Sequence, residues 1–489
     1  MSNYKVPEQK KWQDPLEAQF KQGIVSFFDH YAEDLSRIRK KNPYYHQRIR
    51  EYLCFNILPN TRVLEIGTCD GSALATTRPS YGLGIDCSSK MIELAQKNYP
   101  QLHFQVAFAE DLDLSKEEPF DYIILSDVIG YFYDIQRVFQ KLQPLCHRDT
   151  RVIVNWYSRL WQPLISLAEK LGLKHTLPIN NWTSREDMEN ILRLAGFEVI
   201  KIASRELLPK KIPLLSSFCN KMLVNFWPFS LFAWTNWVVA KPPAISYPNL
   251  PSVSIVCPCR NEAGNIINIL KRTPEIGSWT ELIFVEGNST DNTVETLKQE
   301  IAAYQGSLKI SSLTQSGKGK GDAVRLGFAH ATGDIFMILD ADLTVPPEIL
   351  PDFYKAIVDG KGEFINGSRL VYPMQDQAMR FANILGNKAF SMMFTFLLGQ
   401  KFKDTLCGTK VLSKRNYQNI VLGRAFFGDF DPFGDFDLLF GAAKLNLKIV
   451  DFPVRYRERI YGTTNIQRWR AGVILLSMCL YAYRKFKIV

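Results

Sequence analysis

Short apolar runs ending in small or polar residues alternate along the chain with stretches whose apolar positions repeat every three to four residues. In the first half, Val63-Leu64-Glu65-Ile66, Gly82-Leu83-Gly84-Ile85-Asp86 and Phe120-Asp121-Tyr122-Ile123-Ile124-Leu125 read as strands. Ser88 or Ser89 caps a following helix that puts Met91, Leu94 and Ala95 on one face. In the second half, Val253-Ser254-Ile255-Val256, Leu282-Ile283-Phe284-Val285 and Ile335-Phe336-Met337-Ile338-Leu339 repeat the theme. Strands separated by helices predict an α/β protein with mostly parallel sheets covered on both faces. A proline-rich connector, Lys241 to Pro251, divides the sequence near its middle and suits a semi-rigid spacer. The expected organisation is a first domain over 1–243 with an N-terminal helical extension, a linker over 244–251 and a second domain over 252–489. No repeat of about 20–50 residues is present, which excludes a solenoid or propeller.

Composition narrows the class. With 46% hydrophobic and 22% charged residues, the chain is neither disordered nor fibrous. Its net charge of +10 favours phosphates, whether on nucleotides, nucleic acid or an anionic membrane. A nucleic-acid partner would want a basic groove around Asp86, but the basic residues are dispersed, so none is expected. Arg37, Arg39, Lys40 and Lys41 read as a solvated helix face. The nine cysteines show no C-x-x-C pair or zinc spacing, and Cys257 and Cys259 are too close to pair easily. Reduced thiols and an N-terminus without an apolar leader point to the cytoplasm.

Two stretches bear on membranes. Met222 to Ala240 carries no charge and approaches the roughly 20 residues of a span. Pro228 would break such a helix, so the expectation is a loop and then a final strand, Trp234 to Ala240, closing the first sheet. Ala471 to Tyr483, followed by Arg484, Lys485 and Lys487, is too short to span. It suits a helix lying peripherally at the inner face of a membrane, and equally a terminal helix docked on its own domain.

The chemistry of the first half gathers where Val63–Ile66 runs into Gly67-Thr68-Cys69-Asp70-Gly71-Ser72. Glycine there lets the backbone approach a ligand closely. Asp86 ends the next strand about 20 residues later, where a carboxylate can accept from both ribose hydroxyls. The dinucleotide spacing Gly-x-Gly-x-x-Gly is absent. This pattern resembles the class I S-adenosylmethionine-dependent methyltransferases, with Phe120–Ile129 similar to their fourth strand and Ile191–Val199 to their last helix and strand. The resemblance implies a Rossmann-like, doubly wound fold with S-adenosyl-L-methionine as cofactor. It places Glu65, Gly67 and Gly71 at the methionine end, Asp86 at the ribose, Glu110 and Asp111 at the adenine, and Asp127 and Tyr131 facing a substrate. Cys69 stands in place of the middle glycine and Phe108 in place of an acid. No residue of this half stands out as a general base.

The second half is denser. Val253–Cys257 leads into Pro258-Cys259-Arg260-Asn261-Glu262, and Leu282–Val285 into Glu286-Gly287-Asn288-Ser289. Gly317-Lys318-Gly319-Lys320-Gly321-Asp322 is suited to cradling phosphate, and the strand through Leu339 ends in Asp340-Ala341-Asp342. Two carboxylates one residue apart repel each other, and a Mg²⁺ or Mn²⁺ bridging them to a diphosphate compensates. These residues resemble family 2 glycosyltransferases of GT-A fold, nearest to the dolichyl- and polyprenyl-phosphate sugar transferases. The resemblance implies an inverting transfer from a nucleotide-sugar donor to a lipid-phosphate or glycan acceptor. It assigns Pro258, Arg260, Glu262 and Glu286 to base and ribose, and Lys320, Asp322 and Arg459 to the nucleotide. It assigns Asp340 and Asp342 to the metal, Arg369 and Arg380 to the acceptor phosphate, and Asp435 and Asp437 to an acid pair available as base. Asp404-Thr405-Leu406-Cys407-Gly408-Thr409-Lys410 resembles a further family segment. Phe390–Leu398 suits either core packing or a lipid groove.

Overall fold

The computed structural model describes residues 15–171, 181–243, 247–372, 381–427, 436–459, 461–462 and 468–488. The chain divides into two compact units, Met1–Pro243 and Ala244–Val489. The first unit holds strands β1 (Arg62–Ile66), β2 (Tyr81–Asp86), β3 (His103–Val106), β4 (Phe120–Ser126), β5 (Cys146–Tyr157), β6 (Glu198–Arg205) and β7 (Thr235–Lys241). Its helices are α1 (Pro15–Lys41), α2 (Pro43–Asn56), α3 (Ser72–Thr76), α4 (Ser89–Asn98), α5 (Ile135–Leu142), α6 (Gln162–Lys170), α7 (Arg185–Leu194) and α8 (Leu215–Lys221). The sheet order is β3-β2-β1-β4-β5-β7-β6, with β1 to β5 parallel and β7 antiparallel to both neighbours.

The interior strands are buried on both faces: nearly every residue of β1, β4 and β7 is buried, polar ones included. β3, at one edge, is largely exposed. The final strand differs from expectation in its place: β7 does not close an edge but inserts between β5 and β6. Val238, Val239 and Ala240 are accordingly buried on both sides.

The second unit holds β8 (Val253–Cys259), β9 (Thr280–Glu286), β10 (Lys309–Thr314), β11 (Ile335–Ile338), β12 (Phe364–Ser368), β13 (Lys410–Ser413) and β14 (Ile449–Pro453). Its helices are α9 (Ile266–Arg272), α10 (Thr293–Ala303), α11 (Lys320–His330), α12 (Leu350–Val358), α13 (Phe381–Leu398), α14 (Lys414–Gly423), α15 (Phe436–Lys444) and α16 (Arg468–Phe486). The order is β10-β9-β8-β11-β13-β12-β14, with β13 antiparallel to β11 and β12. The expected pair of α/β domains is therefore present. Among the consecutive parallel strands of each sheet the order reverses at one place, β1/β4 in the first and β8/β11 in the second. Such switch points open a crevice beyond the carboxyl ends of the strands.

α16 is docked on its own unit: Leu475, Met478, Cys479 and Phe486 are buried, and Phe486 packs against Phe427 and Phe440. An outer stripe of Val473, Leu476 and Leu480 faces away from that contact. In α13, Phe394 and Leu397 are core residues while Met392 is exposed. Among the described residues, no helix is long and apolar enough to cross a membrane. All nine cysteines are free.

Candidate functional site

At the first switch point the chain after β1 turns through Gly67 at φ +73° and Cys69 at φ +53°. A side chain at Gly67 would collide with Val128, so the turn and the end of β4 are closed against each other. Over them lies a cavity of about 220 Å³ lined by Glu65, Gly67, Asp86, Glu110, Asp127 and, from above, α1. The stripe Phe20, Ile24, Phe27, Phe28, Tyr31 and Leu35 forms its roof.

Several expectations change here. Arg39 is not solvated: it donates to Ser72 Oγ at 2.6 Å, pairs with Asp70 and lines the cavity. Asp111 does not line the cavity but ties Lys21 of α1 (2.5 Å) to Arg137 of α5 (2.7 Å). Gly71 caps α3 and backs onto Phe104 and Tyr99 instead of facing the ligand space. Neighbouring Glu110 does face it, accepting from the Tyr133 N–H at 2.8 Å.

The acids that remain are enclosed. Glu65 accepts from Thr68 Oγ1 at 2.8 Å and the Leu74 N–H at 3.1 Å. Burial nevertheless pushes its carboxyl up to about 8. Asp86 accepts from the Cys69 and Ser88 N–H groups at 2.9 and 3.0 Å, which fixes the glycine turn beneath it. Asp127, at φ +53°, accepts from Tyr45 Oη at 2.9 Å and Asn155 Nδ2 at 2.6 Å. Burial pushes it up to about 7, against the pull of those two donors. Sequence reasoning missed Tyr45, Asn155 and the α1 roof; the helical spacing of Phe20 to Leu35 was the available signal.

The second switch point has the opposite electrostatics. Asp340 and Asp342 follow β11, and the register of β8 with β9 sets Glu286 beside Cys259. Lys320, at the start of α11, reaches Asp340 Oδ1 at 2.6 Å. Arg459 reaches Asp342 Oδ2 at 2.7 Å and Glu262 Oε1 at 3.5 Å, drawing these three residues together. Thr344 donates to Asp342 Oδ1 through both its N–H and its hydroxyl. Burial would raise the Asp340 carboxyl, but Lys320, Lys410 and Arg369 outweigh it and hold the group below its ordinary value. Gly408 is pressed onto this centre, since a side chain there would overlap Asp340 and Lys320.

Arg369 forms a bidentate pair with Asp404 at 2.7 and 2.9 Å and lies over Tyr456. Asp404 also accepts from Asn387 at 3.0 Å and is held at about 2, its burial overcome by Arg369. A carboxylate thus occupies one edge of the guanidinium that was expected to face the acceptor. Asp437 of α15 is engaged by Arg424 at 2.9 Å. Asp322 sits in the first turn of α11 against Gly317, and Pro258 and Arg260 stand at the end of β8. Arg380 and Asp435 lie outside the described residues. Lys410 closes the Asp404–Lys410 segment. It proves fully buried, donating to Asn366 Oδ1 at 2.9 Å and to the Cys407 carbonyl.

Comparison with known proteins follows the same division. Residues 33–202 match the family model "Methyltransferase domain", and residues 254–420 match "Glycosyl transferase family 2". The chain is 28% identical over 242 residues to Glycosyltransferase AglJ of Haloferax volcanii, covering 49% of this chain and 74% of that one. It is 31% identical over 240 residues to a dolichol-phosphate mannosyltransferase of Pyrococcus furiosus, covering 48% and 64%. It is 32% identical over 120 residues to an undecaprenyl-phosphate 4-deoxy-4-formamido-L-arabinose transferase of Klebsiella pneumoniae, covering 24% and 36%. The chain thus spans less than two thirds of the last two relatives. Among solved structures, the magnesium protoporphyrin IX methyltransferase of Synechocystis with bound SAH aligns at a TM-score of 0.34 and 17% identity, over 46% of this chain and 99% of that one. The protein joins a methyltransferase domain to a family 2 glycosyltransferase domain in one chain.

Proposed function

We propose that the second unit transfers a sugar from a nucleotide-sugar donor to a polyprenyl-phosphate or glycan acceptor, and that the first unit binds S-adenosylmethionine and transfers its methyl group. The observation that carries the sugar-transfer reading is the Asp340–Asp342 pair at the tip of a fully buried strand, faced by Lys320 and Arg459. Two of the relatives are an undecaprenyl-phosphate and a dolichol-phosphate sugar transferase, which supports the acceptor class.

The donor set fits a divalent cation. Asp340 and Asp342 offer hard carboxylate oxygens, and no group of three ligating side chains is present among the described residues. The diphosphate of the donor would complete the coordination. When bound, Mg²⁺ or Mn²⁺ supplies charge for the departing diphosphate. Lys320 and Arg459 stand beside the same oxygens and can turn to the diphosphate when it enters. The acceptor oxygen attacks the anomeric carbon as the bond to the diphosphate breaks. A phosphate acceptor needs no base for this; a hydroxyl acceptor would need Asp437 or Asp435 to take its proton. Gly408, having no side chain, leaves Asp340 and Lys320 the space they occupy.

In the first unit, Gly67 and Asp86 suit the cofactor's methionine and ribose ends, and Glu110 with Phe108 the adenine end of the same cavity. Asp127 is placed to hold the methyl acceptor and to take its proton, since its carboxyl titrates near neutrality. A second reading, a cofactor-binding scaffold without turnover, is favoured by the α1 roof, which encloses the cavity from above.

The test uses the full chain with a panel of sugar nucleotides, with and without polyprenyl phosphate. Nucleoside diphosphate release that depends on acceptor supports the reading, and no release from any donor refutes it. Isothermal titration with S-adenosylmethionine separates the readings of the first unit: binding without methyl transfer to any lipid-linked glycan leaves the scaffold.

A further inference from the structure

The connection from β6 to β7 runs over residues 206–234 and holds an exposed apolar surface. Leu214 is 89% exposed and Trp227 79%, and Leu215, Phe218, Phe226 and Phe232 are exposed beside them in the same segment. Monomer surfaces seldom show so many large apolar side chains together without a partner. The segment is nonetheless ordered. Buried Asn220 accepts from the Leu207 and Leu208 N–H groups at 2.8 and 2.9 Å and donates to the Leu208 carbonyl at 2.8 Å. Its far end is pinned by Trp161, which donates to the Ala233 carbonyl at 3.2 Å and packs on Trp234 at 5.2 Å.

Helix α6, entered through Trp161, adds a second apolar face. Leu160, Leu164, Leu167 and Leu171 recur every three to four residues and are all exposed. Both pieces leave the sheet at the same edge, because β7 runs antiparallel to β5 and begins where β5 ends. That edge is the carboxyl side, where Asp127 and Tyr157 line the cavity.

Charge identifies the occupant. From Leu207 to Ala240 the sequence has Lys210, Lys211 and Lys221 and no acidic residue. Lys210 and Lys211 are exposed within the patch. Helix α6 adds one acid, half-buried Glu169, beside exposed Lys170. Exposed aromatic side chains with lysines in excess of acids suit the headgroup region of an anionic bilayer, where rings sit at the interface and lysines meet phosphates.

We infer that the β6–β7 segment and α6 form a membrane-docking face of the first unit, specific for anionic lipid. Docking there brings the carboxyl end of the sheet, where the cavity lies, towards the bilayer. A methyl acceptor carried on a membrane lipid is the corollary, and this corollary rests on the methyl-transfer reading above; docking itself does not.

The test is flotation of the full chain with phosphatidylglycerol–phosphatidylcholine vesicles and with phosphatidylcholine alone, together with hydrogen exchange. The expected result is binding to the anionic vesicles only, weakening as salt is raised, with exchange slowed over 207–234. Phe218→Ser with Trp227→Ser, both at exposed positions, should lower the vesicle partition about tenfold or more at unchanged thermal stability. Three results overturn the inference. One is no flotation with anionic vesicles. Another is flotation with residues 207–234 unprotected, which would shift attachment to α16. The third is protection of that segment that rises with protein concentration in the absence of lipid, which would make it a contact between copies.

Discussion

The two switch points place acids at corresponding positions, just past the carboxyl ends of central strands, yet treat them in opposite ways. In the first unit Glu65 and Asp127 are enclosed under α1 with neutral donors, and burial pushes them up to about 8 and about 7. In the second, Asp340 is surrounded by Lys320, Lys410 and Arg369 and lies below its ordinary value. The lesson is that the same topology builds two kinds of anionic site. One keeps its acids on neutral donors, with Arg39 at its wall taken up by Asp70, and suits a ligand that brings positive charge, such as a sulfonium. The other is already supplied with cations and suits a ligand that brings phosphates.

The cationic framework of the second site should be the most sensitive part of the molecule. Replacing Asp404 by Ala would leave Arg369 buried without its bidentate partner, and unfolding by denaturant should report a loss of about 3–5 kcal/mol. An equal stability would show that the pair is dispensable and would weaken the contrast. Gly408→Ala is next. Its methyl group would overlap Asp340 and Lys320, so sugar transfer should fall about a hundredfold or more, with stability reduced by roughly 1–3 kcal/mol.

The pH responses sharpen the comparison because their signs differ. Asp127 is raised in the folded chain, so its contribution to stability is complete below about pH 4 and is lost as pH rises through about 7. Asp404 is lowered, so its contribution is present above about pH 4 and is lost as pH falls through about 2. Calorimetry should show the first unit's transition moving down between pH 5 and 8, with Asp127→Asn removing part of that movement, on the order of 1–2 kcal/mol. S-adenosylmethionine should bind more tightly across the same rise, releasing protons in the process. The smallest effect concerns the roof. Arg39→Ala removes the link between α1 and Asp70, and cofactor affinity should weaken a few-fold, by about 1 kcal/mol.

Much of this was legible in the residues. An apolar strand that ends in Asp340-Ala341-Asp342 can be read directly, because strand burial and the cost of paired carboxylates are local facts. Glu110 and Asp111 were not separable. They share one short turn, and only the packing of α1 and α5 decides which of them turns inward. Arg39 was misread because a basic cluster on a helix says nothing of what one of its faces covers. The place of β7 was hidden for a related reason: strand order depends on pairing partners far apart in sequence. The shift of Asp127 depends on burial under a helix about a hundred residues earlier, which no motif records.

The central claim is that Asp340 and Asp342 hold a divalent cation jointly with the donor's diphosphate. Electron paramagnetic resonance of Mn²⁺ added to the full chain tests it directly. Mn²⁺ should be retained weakly by the protein alone and strongly once a nucleoside diphosphate is added, and Asp342→Ala should lose that gain. Nucleotide-dependent Mn²⁺ retention that survives Asp342→Ala, or sugar transfer at full rate in EDTA, would contradict it.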